Sequence, residues 1–139
     1  MKTFARFWPQ EFWLLGTSRG STSVANAGIR LQRGGPDGLV LMSAISVKHK
    51  RGGSLLRMSL GSIKVPTLVV HHVDDGCGVT LLEGARDIHS DLKGAPVTGL
   101  IKIKGGKERV GPCTPTSHHK YNAQRGPVVK AITQWILAH

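Results

Sequence analysis

Four short apolar runs recur along the chain, and apolar residues at helical spacing follow three of them. The first run, over residues 11–16, carries Phe12-Trp13-Leu14-Leu15 and stops at Gly16. Leu39-Val40-Leu41-Met42 is the second. The third, Val65-Pro66-Thr67-Leu68-Val69-Val70-His71, is apolar without alternation and rich in β-branched residues. Such a run predicts a parallel strand covered on both faces. Residues 97–104 form the fourth, with partial alternation.

Helical spacing marks the connections. From Arg19 to about Gln32, Val24, Ala27, Gly28 and Leu31 predict a helix whose narrow face of small residues packs close to a sheet. From Thr80 to Lys93, Leu81, Ala85, Ile88 and Leu92 share one face of an amphipathic helix. From Asn122 to the end, Val128, Val129, Ile132, Trp135 and Ile136 form a wide apolar stripe, with Pro127 in the first turn. Arg33-Gly34-Gly35-Pro36-Asp37-Gly38 is a turn. Residues 43–63 are polar, basic and glycine-containing, and read as an excursion over the sheet edge rather than a core element. Strands separated by helices predict an α/β fold: a three-layer sandwich around a short, mostly parallel sheet of about four strands. Residues 1–139 read as a single domain, with 1–10 as an N-terminal arm.

Composition narrows the class. The chain has 139 residues, 40% of them hydrophobic. Its longest apolar run falls far short of the ~20 residues of a membrane span, so no membrane partner is expected. The start, Met1 to Pro9, is basic but lacks the apolar core of a signal peptide, so the default location is cytoplasmic. A net charge of +11 attracts anions. The basic residues are nevertheless scattered, and seven aromatics provide no stacking platform, which disfavours nucleic acid as a partner. Cys77 and Cys113 are too few for a disulfide scaffold or a structural zinc site.

The candidate chemistry lies in the loops after the strands, where parallel sheets gather reactive groups. Gly16-Thr17-Ser18-Arg19-Gly20 follows the first strand and matches G-x-S-x-G, the turn that lifts a serine hydroxyl clear of the backbone. His71-His72-Val73-Asp74-Asp75 follows the third strand, and Ser117-His118-His119 lies beyond the fourth. Serine, aspartate and histidine in this order suit acyl transfer. An imidazole takes the proton of the serine hydroxyl, and a carboxylate holds the imidazole in the right tautomer. The backbone N–H of Arg19, just after the serine, can donate to the developing oxyanion. At this level Asp74 and Asp75 are both candidate acids, and His118 and His119 both candidate bases. A metal cluster from His71, His72, Asp74, Asp75, His118 and His119 matches no zinc spacing, and neither metal nor cofactor is expected.

These motifs resemble the α/β-hydrolase superfamily, and within it bacterial esterase-like members. The likeness rests on Leu15 to Gly20, on Val65 to Cys77, and on Cys113 to His119 followed by Val128-Val129 and Trp135-Ile136. It implies Ser18 as nucleophile, Asp75 as orienting acid and His119 as general base, with Lys120 standing where the family commonly has glycine. It implies a small serine hydrolase that cleaves carboxylic esters, with a small-molecule ester as substrate. It also places the loops of Cys77 and Cys113 side by side, which permits a bridge closing a loop of about 36 residues. That bridge would move the expected location to the periplasm or outside the cell, whereas both thiols would stay reduced in the cytosol. The likeness begins at residue 11, so the family's earlier strands, with the second oxyanion donor, have no counterpart before it. The elbow strand is then expected to leave an open edge, covered by residues 1–10 or by a second copy in a homo-oligomer. Two further readings are an inactive or partner-dependent hydrolase remnant and an anion-binding module that cradles phosphate at Gly16–Ser21.

Overall fold

The structure, a computed structural model, describes residues 10–139. The arm expected over residues 1–10 lies, apart from Gln10, outside the described residues. Strands β1 (Trp13–Thr17), β2 (Gly38–Met42), β3 (Thr67–His72) and β4 (Thr98–Ile103) form a sheet in the order β1-β2-β3-β4, and every neighbouring pair is parallel. Leu15, Val40, Leu68 and Gly99 stand level across it. The fold is thus an α/β sandwich with a four-stranded parallel sheet, as the strand–helix alternation implies.

Side-chain alternation along the strands divides the core in two. Leu39, Leu41 and Val69 point to one face, where they meet α1 (Arg19–Arg30) and α2 (Leu82–Asp91). Val40, Leu68 and Val70 point to the other, where they meet Val128 and Ile132 of α3 (Arg125–Ala138). Pro127 lies in the first turn of α3, and Trp13 packs edge-on against Trp135 at 5.8 Å. Close approach explains two glycines. A Cβ on Gly16 would overlap the Gly20 carbonyl and a Val24 methyl, and one on Gly28 would overlap Leu39.

Four expectations need correction. Segment 43–63 is not an excursion over the edge: Ala44, Ile45, Leu55, Leu60 and Ile63 are buried in the core between α1 and α2. Its two 3-10 turns, Leu55–Arg57 and Leu60–Ser62, drop single apolar residues into that core. Polar spacing therefore hid a core element, in which Leu55 and Leu60 each contribute about 1.5–3 kcal/mol by burial. The inner face of α1 is Ser21, Val24, Ala25 and Gly28, while Leu31 is exposed beyond the helix end. Leu81 precedes α2 and is exposed, so only Ala85, Ile88 and Leu92 of the expected stripe are buried. Val129 on α3 faces outward, 62% exposed, although Val128 beside it is buried. Each misplacement arises because a helical face counted from sequence alone can be rotated by one residue without losing its apolar members.

Among the described residues β1 is an edge strand, and Leu15 on it is 49% exposed. Among the described residues β1 is therefore paired on one side only. No described helix is long and apolar enough to cross a membrane.

Candidate active site

The carboxyl ends of the four strands carry the groups singled out above. Ser18 sits between β1 and α1 with φ 56° and ψ −117°, a conformation that a side chain resists. It is held there by its own N–H, which donates to the Met42 carbonyl at 2.9 Å, and by its carbonyl, which accepts from the Ser21 N–H at 3.0 Å. Strain of about 1–3 kcal/mol at one residue persists only when its surroundings over-determine it. The hydroxyl makes no capping bond to the helix it precedes, so it is free for chemistry. Gly20 is different from Gly16: a Cβ there would meet nothing, so the second glycine of the motif has no steric role.

Asp75 and His119 are brought together. Nδ1 of His119 donates to Oδ2 of Asp75 at 2.9 Å, and both side chains are almost wholly buried. The other carboxylate oxygen accepts from the Cys77 N–H at 2.9 Å. Asp74 lies exposed, with its N–H donating to Nδ1 of His72 rather than its carboxylate joining the site. His118 turns away: its ring stacks on His72 at 4.4 Å, and its Nδ1 lies 3.7 Å from Glu108. Of the two alternatives left by residue type at each position, the geometry thus pairs Asp75 with His119.

A cleft of about 450 Å³ contains Ser18 and His119 together, along with Arg19, Ile45, Lys120 and both cysteines. Among the described residues no hydrogen bond joins the Ser18 hydroxyl to His119, and catalytic bonds of this kind often tighten only once substrate is bound. The N–H of Arg19 opens the first turn of α1, where backbone donors and the helix dipole favour a developing anion. Cys77 and Cys113 are bonded, with Cα atoms 4.8 Å apart, and tie the acid loop to the base loop. No described group of three or more His, Cys, Asp or Glu is arranged to hold a metal ion.

Three supports were invisible in the residue pattern. Thr80 donates its hydroxyl to Oδ2 of Asp75 at 2.9 Å and lies 3.1 Å from Nδ1 of His119. Its nearness to the acid in sequence was the one available signal. Ser43, at φ 41° after β2, and Tyr121 form the second support. The Tyr121 hydroxyl donates to the Val70 carbonyl at 3.0 Å and accepts from the Ser43 N–H at 3.1 Å. The Ser43 hydroxyl lies 2.8 Å from the His119 carbonyl, so this pair anchors the base loop to the sheet. Burial pushes the Tyr121 phenol up to about 12.

His71 is the third. It ends β3 fully buried, and its Nε2 donates to the Thr80 carbonyl at 3.0 Å. Its Nδ1 has no hydrogen-bond partner among the described residues. Burial lowers its pKa, against the opposing pull of Asp75. His49 is half-exposed and borders the cleft.

A parallel sheet with helices on both faces, a strained serine turn after β1, and a hydrogen-bonded aspartate and histidine after β3 and β4 are the arrangement of the α/β-hydrolase fold. No family model matches the chain, and neither does any curated protein sequence. Solved structures do. The chain is similar to Est1E from Butyrivibrio proteoclasticus, with 16% identity, TM-score 0.66, and 97% of this chain covering 64% of that one. It is similar to a monoacylglycerol lipase from Paleococcus ferrophilus, with 18% identity, TM-score 0.64, and 93% of this chain covering 69% of that one. It is also similar to an acylaminoacyl peptidase from Pyrococcus horikoshii, with 17% identity, TM-score 0.55, and 94% of this chain covering 25% of that one. The chain therefore spans about two thirds of the first two proteins and a quarter of the third.

Proposed function

We propose that this chain is a serine hydrolase acting on carboxylic esters of small molecules, through an acyl-enzyme on Ser18. The observation that carries the reading is the 2.9 Å bond from His119 to the buried Asp75, in a cleft shared with a serine on a strained turn. The Ser18 hydroxyl attacks the ester carbonyl while Nε2 of His119 takes its proton. Negative charge collects on the carbonyl oxygen, where the Arg19 N–H donates to it. The intermediate collapses as His119 returns the proton to the departing alcohol. Water then repeats the sequence in reverse roles and frees the acid. Asp75 holds the Nδ1–H tautomer and stabilises the imidazolium. The Cys77–Cys113 bond favours an oxidising compartment as the place of work.

Hydrolysis of a p-nitrophenyl ester tests the reading. The wild type should turn the ester over, and Ser18→Ala should reduce the rate to background. Equal rates for the two end it.

Among the described residues β1 is paired on one side only, which supports a second reading, in which activity requires another chain. Leu15 is exposed there, and the Arg19 N–H is one donor where sites of this class use two. Losing one such donor lowers kcat by about 10²–10³. In this reading a homo-oligomer forms through the β1 edge, and sedimentation at increasing concentration should show it. A monomer at all concentrations that nevertheless hydrolyses esters sinks the second reading.

A further inference from the structure

The cleft is positively charged without compensation. Arg19 follows the nucleophile, and Lys120 follows the base in the short 3-10 turn His118–Lys120. Both border the cleft that contains Ser18 and His119. Among the described residues no carboxylate borders it. The nearest acid, Asp75, has a fully buried side chain whose oxygens are taken by His119, Thr80 and Cys77. Among the described residues neither Arg19 nor Lys120 forms an ion pair.

The position of Lys120 is fixed by its neighbours rather than by its own charge. The His119 carbonyl is held near Ser43, the Lys120 N–H donates to the Ser117 carbonyl at 3.1 Å, and Tyr121 is locked to the sheet. The backbone therefore sets Lys120 at the cleft wall whether or not an anion is there. Lys120 is half-buried, and burial lowers its pKa although Asp75 opposes the shift. A cation in such a place gains by meeting an anion that enters from outside.

We propose that the cleft selects esters that carry a carboxylate, with Lys120 and Arg19 as the groups that hold it. This rests on the serine hydrolase reading and names its substrate class. The cations cannot be accounted for by the reaction itself, since the oxyanion is met by a backbone N–H and the imidazolium by Asp75. An uncharged ester leaves both cations with water alone. A carboxylate on the acyl or alcohol side brings the scissile carbonyl into the cleft already oriented. The net charge of +11 attracts such substrates from a distance, but it acts on every anion alike. Only the local pair distinguishes one docking position from another.

The experiment compares 4-acetoxybenzoate with its uncharged counterpart 4-acetoxybenzamide, at one fixed ionic strength. The readout is the ratio of their kcat/KM values, in wild type, Lys120→Gln and Lys93→Gln. Lys93 is exposed and remote from the cleft lining, so it removes the same charge without touching the site. The wild type should favour the anionic ester, and Lys120→Gln should lower the ratio about five- to tenfold while Lys93→Gln leaves it unchanged. A ratio that is unaffected by Lys120→Gln, or that falls equally in both variants, overturns the proposal and leaves the hydrolase reading standing. If no ester is hydrolysed, the hydrolase reading falls. Binding of 4-acetoxybenzoate to Ser18→Ala then decides the proposal. Binding weakened by adding Lys120→Gln upholds the anion site, and binding indifferent to it overturns it.

Discussion

The chain contains one tyrosine, and the structure assigns it to anchoring the base loop. Tyr121 is buried with its hydroxyl between Ser43 and the Val70 carbonyl, and its phenol is pushed up to about 12 from an ordinary value of 10. Burial is the main cause, and the Ser43 bonds partly offset it. The unfolded chain loses the phenolic proton near pH 10, whereas the folded chain keeps it to about pH 12. Between those limits the native state binds more protons than the unfolded state, so stability falls as pH rises. At 1.36 kcal/mol per pH unit the loss over the whole interval is about 2.7 kcal/mol. Because no other tyrosine contributes, near-ultraviolet phenolate absorbance reads this residue alone. The native protein should ionise near pH 12 and the denatured protein near pH 10. Tyr121→Phe should lower stability at neutral pH by about 1–3 kcal/mol and abolish the part of the alkaline slope due to this group. A native phenol that ionises near pH 10 would refute the anchoring of the base loop through Tyr121.

The other consequences concern the acid, the bridge and the buried histidine. Asp75→Asn should keep the fold and reduce kcat about 10⁴-fold, since the amide no longer holds the Nδ1–H tautomer of His119; activity within tenfold of wild type would contradict the pairing. Cys113→Ser should destabilise the protein by about 4 kcal/mol, because the bond closes a loop over a sequence separation of 36. Calorimetry should show this as a fall in Tm of about 12 °C, and Cys113 is the better position because it is exposed whereas Cys77 is buried. His71 has a lowered pKa, so the unfolded chain takes up the proton first, near pH 6.5, and stability falls as pH is lowered from there. His71→Gln should flatten that acid slope in thermal melts, and an unchanged slope would assign the effect to another group.

Much of this fold was legible because it follows from continuous apolar runs. The third run became β3, buried along its whole length, and the turn at Gly16 became the strained serine. The acid and base loops were legible as residue types at the ends of strands. Asp75 against Asp74, and His119 against His118, could be chosen only by resemblance, because which of two adjacent residues points inward depends on loop geometry. Segment 43–63 was misread for a physical reason: its core residues Leu55, Leu60 and Ile63 follow neither helical nor strand spacing, since 3-10 turns bury them singly. Ser43 and Tyr121 act through bonds across 76 and 51 positions of chain, and such contacts leave no local pattern.

The central claim is that Ser18 is a nucleophile activated by His119. Mass spectrometry of the protein treated with a fluorophosphonate tests it most directly, since the reagent reports the serine itself and needs no knowledge of the substrate. The account predicts one adduct, on the peptide that contains Ser18, whose rate of formation falls to background in His119→Gln. An unmodified Ser18, or labelling that proceeds equally without His119, would contradict it.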